Sequence, residues 1–432
     1  MTLTRLFITH CSIILYTLII VCSAGPSSAE SIDLVKVDWP EGSQVLPFDD
    51  VEGAVLVRAT LGFPSARDTS GPMLLDTGAG YLAVDLELAR VLGLSDSAAP
   101  AAAVGLANRP LPRLQLGGLQ VDQVQPVLTI DAGIVRRVTG RPVLGLIGQS
   151  LLRDRVVVLD YASGTLVLLP PGPDSSATQA ALGAALSPMA EAVPFRLVGD
   201  GKAVLRVRVG GLDGTPPTEL SLILDTGATK TVLFRKALDR RLPGWVSWPS
   251  IRGLGAPTLT GVARARMVRV PRVDSGSGGG AVSRSGVDAA VIAGDLPDAL
   301  ESALGEPVDG LLGYSFLKHF RVALDYPRRL LWLDHSQGDV PDRANEYCHP
   351  GIQLEDVLGS LRVTAVADGS PAARAGIRPG DELLAVDGSQ VAGSEVVEVG
   401  RRLEGDPGTR VELRLRRGSR TWSKSVRRAP LF

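Results

Sequence analysis

Two Asp-Thr-Gly-Ala segments, at 76–79 and 225–228, each close an apolar run, 73–75 and 222–224. A carboxylate placed where a buried strand turns loses its hydration, and alone it would tend to take up a proton. Two such loops facing each other relieve that cost, because adjacent carboxylates cannot both ionise and instead hold one proton between them. In that state one acts as general base toward a water while the other, protonated, donates to a carbonyl oxygen. The chemistry within reach of Asp76 and Asp225 is therefore amide hydrolysis, with no cofactor and no metal required.

Composition narrows the choice in the same direction. Of three cysteines, Cys11 and Cys22 lie in an N-terminal apolar stretch and only Cys348 lies in the body, which excludes a disulfide framework there. The four histidines are His10, His319, His335 and His349, and none forms a zinc-ligand pattern or accompanies a Gly-x-Ser-x-Gly elbow. With 45% hydrophobic residues, 21% charged residues and a net charge of -1, the chain is a folded protein without a broad basic surface, so nucleic acid is not an expected partner.

The elements that must position the two aspartates emerge as a duplication. Val45-Leu46-Pro47-Phe48 recurs as Ala192-Val193-Pro194-Phe195, and Leu74-Leu75-Asp76-Thr77-Gly78-Ala79 as Ile223-Leu224-Asp225-Thr226-Gly227-Ala228. Val143-Leu144-Gly145-Leu146-Ile147-Gly148 through Leu159-Asp160-Tyr161 recurs as Val308-Asp309-Gly310-Leu311-Leu312-Gly313 through Leu324-Asp325-Tyr326. Three blocks in one order predict two copies of one domain, over 40–170 and 192–338, with a Pro/Ala/Ser-rich linker at 171–191 that reads as a tether or a short exposed helix. The second copy is longer and carries a glycine-rich surface insertion at 275–280.

On these residues the chain resembles a retropepsin-like aspartic protease whose two lobes are fused in one polypeptide, in the manner of pepsin, over approximately 45–334. The resemblance implies a mainly β fold: two closed β-barrel lobes related by a pseudo-two-fold axis. It makes Asp76 and Asp225 the catalytic pair of an aspartic-type endopeptidase. Leu146-Ile147-Gly148 and Leu311-Leu312-Gly313 would thread behind the catalytic loops. Thr77 and Thr226 would bond across the lobe interface, and Gly78 and Gly227 would supply the turns and backbone amides beside the carboxylates. Pepsin-like enzymes usually carry a hydroxyl residue where this chain has Ala79 and Ala228, so the pair should be less acidic and work nearer weakly acidic to neutral pH. Glycine-bearing candidates for flaps are Gly105-Leu106 and Gly253-Leu254-Gly255, and Trp245 and Trp248 stand as aromatic cover for the second loop or as local packing. The competing reading is a non-catalytic peptide-binding scaffold that retains the same lobes.

From 348 to 432 the run Gly369-Ser370-Pro371-Ala372-Ala373-Arg374-Ala375-Gly376-Ile377, with Pro379-Gly380-Asp381 and Val386-Asp387-Gly388, resembles a PDZ domain of bacterial protease type. That resemblance implies a β-sandwich with short helices that adds a peptide strand to a sheet edge and captures its terminal carboxylate. The matching loop is Gly351-Ile352-Gln353-Leu354, with Gln353 where a glycine is common. Protein or peptide substrates and a C-terminal peptide ligand are the expected partners. At the N-terminus, Arg5, an apolar run over 12–21 and small residues up to Ala29 read as an export leader over 1–29. A periplasmic or secreted location follows, or a membrane anchor if that segment is retained.

Overall fold

A computed structural model describes residues 31–62, 68–94, 104–172, 175–210, 216–258, 261–275 and 282–432. The expected leader at 1–29 and most of the glycine-rich insertion, 276–280, lie outside the described residues.

In the first lobe, strand β1 (Thr69–Leu75) is apolar through Met73, Leu74 and Leu75 because it is buried on both faces. Helix α1 (Gly133–Thr139) leads into strand β2 (Gly145–Ile147), which runs parallel to β1 with Leu74 opposite Leu146 and Leu75 opposite Ile147. On its other side β2 pairs antiparallel with Leu82–Asp85. This threading needs a bare backbone: a Cβ at Gly145 would lie 2.0 Å from the Ala83 carbonyl oxygen. Strand β3 (Val156–Asp160) then enters the base of the molecule.

The segment expected to be a tether or a short exposed helix folds as helix α2 (Ser176–Ala185), started by the Ser175 hydroxyl accepting from the Thr178 N–H. It is not exposed all round. Ala181, Leu182 and Ala185 are buried, and Leu182 and Ala185 pack on Val156, Val158, Val167 and Ala323, so it braces both lobes.

The second lobe repeats the first. Strand β4 (Thr218–Leu224) runs parallel to β5 (Gly310–Leu312), which pairs antiparallel with Thr231–Phe234. A Cβ at Gly310 would sit 2.1 Å from the Val232 carbonyl oxygen, the counterpart of the Gly145 contact. Strand β6 (Arg321–Asp325) pairs antiparallel with β3 of the first lobe, from Asp160 opposite Arg321 to Val156 opposite Asp325. Thr165–Leu168 and Gln44–Val51 extend this sheet on one side, Leu330–Asp334 and Glu191–Pro194 on the other. A continuous sheet therefore underlies both Asp-Thr-Gly loops and fixes one lobe against the other.

The C-terminal module is a six-stranded sheet whose edge strands are β7 (Ile352–Val357) and Arg420–Arg427. Helix α3 (Val396–Leu403) packs Val396, Val399 and Leu403 onto its core with Leu361, Val363, Leu383, Val411 and Leu413. Among the described residues no helix is long and apolar enough to cross a membrane.

Candidate active site

Each aspartate leaves its strand at the point where the neighbouring parallel strand still supplies a hydrogen bond. The Asp76 N–H donates to the Ile147 carbonyl at 2.9 Å, and the Asp225 N–H to that of Leu312 at 3.0 Å. The turn then folds back on the carboxylates. Asp76 Oδ1 accepts from the Ala79 N–H at 2.8 Å, while Asp225 Oδ1 accepts from the N–H groups of Gly227 and Ala228 at 2.9 and 3.2 Å.

The threonines lock the two loops together. The Thr77 N–H donates to Thr226 Oγ1 at 3.1 Å and the Thr226 N–H to Thr77 Oγ1 at 3.0 Å. Each hydroxyl proton goes across the interface, from Thr77 to the Leu224 carbonyl at 2.9 Å and from Thr226 to the Leu75 carbonyl at 2.8 Å. Both side chains are fully buried, so these bonds have no competition from water. Thr226→Val should strand the Thr77 N–H and the Leu75 carbonyl and cost about 1–3 kcal/mol per unsatisfied group. Urea unfolding checks this, and a loss below that range would show that the interface relaxes around the change.

Gly78 and Gly227 let the carboxyls approach. A Cβ on Gly78 would lie 2.6 Å from Asp225 Cγ, and one on Gly227 would lie 2.6 Å from Asp76 Cγ. The two carboxyl groups therefore face each other across the crossed glycines, and both are held above the ordinary carboxylate range. Withdrawal from water is the main cause at each. Asp225 is lifted furthest because the charge of Asp76 adds to its desolvation, whereas Asp76 is relieved by the Ala79 N–H, by the bond from Asp225, by the Gly78 N–H and by the Lys202 ammonium. Two buried carboxyls this close hold one proton between them, and the pair as a whole carries one negative charge. Chemically, such a pair can offer a base and an acid side by side.

Several supporting residues give no signal in the sequence as isolated polar positions. Gln149 is fully buried and its Nε2 donates to the Thr77 carbonyl at 2.7 Å and to the Tyr326 hydroxyl at 2.8 Å. Ser150 Oγ accepts from the Leu82 N–H at 2.9 Å, and its counterpart Ser315 from the Thr231 N–H at 2.8 Å. Matching serines after each Gly-Gln or Gly-Tyr pair, at 150 and 315, were the available clue. Asp200, bonded to Lys202 at 2.5 Å, lies so close to Gly80 that a Cβ there would fall 1.7 Å from its Oδ2.

Trp245 and Trp248 belong to the core of the second lobe, with Trp245 Nε1 donating to Asp239 at 2.8 Å. Gly255 opens a hairpin, Gly255–Thr258 with Gly261–Ser275, and Gly105 sits in a short strand, Val104–Leu106. In the C-terminal module, the Gly351 N–H is taken by His349 Nδ1 at 3.1 Å; burial drops this imidazole to about 4, leaving it neutral. Ile352 is buried opposite Val366, Leu354 is half-buried opposite Val363, and Gln353 Oε1 accepts from the Gly255 N–H of the second lobe at 3.1 Å.

Two β lobes locked through reciprocal threonine bonds at paired Asp-Thr-Gly loops, and followed by a PDZ-type sheet, define a bilobal architecture of retropepsin-like type. Residues 205–316 match the family model described as Aspartyl protease, and residues 362–417 match the PDZ domain model. The chain thus carries an aspartyl protease domain and a C-terminal PDZ domain. Among curated proteins it is similar to the Carboxy-terminal processing protease CtpA of Bacillus subtilis (strain 168), 39% identical over 67 residues, 16% of this chain and 14% of that protein. It is also similar to a Probable CtpA-like serine protease of Staphylococcus haemolyticus, 28% identical over 98 residues, 23% of this chain and 20% of that protein. The chain therefore spans a seventh to a fifth of the length of these relatives. Among solved structures, Basic 7S globulin from soybean aligns over 69% of this chain and 96% of that chain, at 14% identity and a TM-score of 0.38.

Proposed function

We propose that this protein is an aspartic-type endopeptidase in which Asp76 and Asp225 activate one water between them. The carrying observation is the facing carboxyl pair at the lobe interface, with both members above the ordinary carboxylate range. In this reading ionised Asp76 removes a proton from the water as it attacks the scissile carbonyl carbon, and Asp225 donates its proton to the carbonyl oxygen. The tetrahedral intermediate then collapses, the amine leaving with a proton returned through the pair. Gly78 and Gly227 keep the carboxyls close enough to share that proton, and the threonine bonds hold their backbones still. Export, on the apolar leader expected at 1–29, belongs to the same reading.

The names of the curated relatives suggest serine chemistry instead. Those matches are 67 and 98 residues long, the size of a PDZ module, whereas the Aspartyl protease match is separate from the PDZ match in this chain. A peptide library read by mass spectrometry separates the two. Cleavage should persist after treatment with an organophosphonate that traps nucleophilic serines. Its pH profile should be bell-shaped: activity falls as pH drops and Asp76 takes up a proton, and falls again as pH rises and Asp225 loses its own. Since both groups lie above the ordinary value of 3.8, a maximum below that pH, or abolition by the phosphonate, would sink the assignment.

A further inference from the structure

A PDZ module binds by adding a peptide strand to a free sheet edge. In this chain that edge is β7, which among the described residues pairs only with Ser360–Val366, and α3 flanks it as the second wall of a groove. The groove is already covered. Helix α1 of the first lobe lies against both β7 and α3.

The contact is built from charge at its rim and apolar packing at its centre. Arg137 Nε stands 3.7 Å from Glu355 Oε2 on β7, and the Arg141 guanidinium pairs with Glu395 at the start of α3. Glu355 is a polar residue of an edge strand yet only 6% exposed, a burial consistent with the helix laid over it. Val397 of α3 packs both into the PDZ core and against the first-lobe cluster of Ile130, Ala132 and Val143. Gly140, the left-handed cap of α1 at φ 68°, would bring a Cβ within 3.9 Å of Glu395 Cβ. The helix is held from behind, since Asp85 accepts from the Ala132 N–H at 3.2 Å and from Arg136 at 2.8 Å. The second lobe occupies the other end, where Gln353 binds Gly255 and the Asp368 N–H donates to the Arg252 carbonyl at 2.9 Å.

We infer that the groove between β7 and α3 is the docking surface for helix α1 in the resting chain, and that the partner it admits on displacement of α1 is an extended peptide carrying Arg or Lys beside apolar residues. A helix cannot supply the strand ladder that β7 leaves open, so α1 covers the edge without satisfying it. A peptide strand satisfies it, but needs the same space. The walls contribute Glu355 and Glu395 and the present occupant contributes Arg137 and Arg141, so a competitor that leaves neither carboxylate unpaired must carry positive charge.

The test uses the full chain. Probes are a fluorescein-labelled decapeptide of alternating Val and Arg with a free C-terminus and its Val/Glu counterpart, read by fluorescence anisotropy. Hydrogen exchange at the β7 amides is followed in parallel. Arg137→Glu with Arg141→Glu should repel α1 from Glu355 and Glu395, speed exchange along β7 and tighten binding of the basic peptide by about tenfold or more, because apparent affinity scales with the open fraction. Adding Glu355→Arg and Glu395→Arg should re-pair the surfaces with reversed charge, restore slow exchange and abolish binding of the basic peptide, which also shows that the first variant is folded. Equal binding of the basic peptide by the natural chain and the double variant, or unchanged β7 exchange, overturns the covered groove. Equal binding of both probes by the double variant overturns the basic class of partner, and binding of neither while β7 exchanges freely overturns the peptide site.

Discussion

Asp76→Asn and Asp225→Asn should each lower peptide turnover by roughly 10³-fold or more, while leaving the unfolding midpoint close to that of the natural chain. In the proposed mechanism the two carboxyls divide one proton inventory, Asp76 accepting from water and Asp225 giving its proton to the carbonyl oxygen. Asparagine at 76 keeps the shape and still accepts from the Ala79 N–H, but its amide oxygen is too weak a base to take a proton from water. At 225 the amide can still donate a hydrogen bond, yet it cannot transfer the proton. The double variant should therefore be little worse than either single one, because removing one half of a shared device disables the other. Removing the charge of Asp76 also removes one cause of the raised Asp225, so Asp76→Asn should let Asp225 ionise at lower pH. Turnover within tenfold of normal in either variant, measured on a single cleaved peptide, would refute the shared pair.

Much of that pair was legible from local pattern alone. The Asp-Thr-Gly loops and the Leu-Ile-Gly and Leu-Leu-Gly segments that follow them are short and repeated, so the duplication is read from sequence order, whereas the threading of those segments behind the loops comes from the resemblance. The reciprocal threonine bonds entered only through resemblance, and the geometry gives them partners: the Leu75 and Leu224 carbonyls. What stayed illegible depends on contacts distant in sequence. Asp160 and Arg321 read as ordinary residues at the ends of apolar strands, and nothing local indicates that they face each other across a sheet shared by both lobes. The alanine-rich run of α2 reads as a tether or an exposed helix because small residues give a weak amphipathic signal, although Leu182 and Ala185 are buried against a sheet that the sequence does not place beneath them. Gln149 carries no pattern of its own, and its value lies wholly in reaching Thr77 and Tyr326 at once. The PDZ module was recognisable from its Gly-Ser-Pro-Ala run, but what covers it depends on Arg137 and Arg141, more than 200 residues away from Glu355 and Glu395.

Arg321→Met should destabilise the whole chain by about 3–5 kcal/mol, because it leaves a buried carboxylate without its counter-charge. Arg321 is 1% exposed and Asp160 3%. The guanidinium donates to Asp160 Oδ2 from Nε at 3.0 Å and from Nη2 at 2.6 Å, to the Ala185 carbonyl of α2 at 2.7 Å and to the Ile32 carbonyl at 2.6 Å. One side chain thus ties together β3 of the first lobe, β6 of the second, the connecting helix and the segment leading into the first lobe. Asp160→Leu combined with Arg321→Met should recover much of the loss, since a buried ion pair replaced as a unit by apolar side chains is often nearly neutral. Urea unfolding followed by tryptophan fluorescence reads both variants, and a single-variant loss below about 1 kcal/mol would mean that water reaches the pair. The shape of the transition carries further information. If the sheet under the two loops is what makes the lobes one unit, Arg321→Met should split a single unfolding step into two, and turnover should vanish at the first of them, because either aspartate alone has lost the partner that holds its proton.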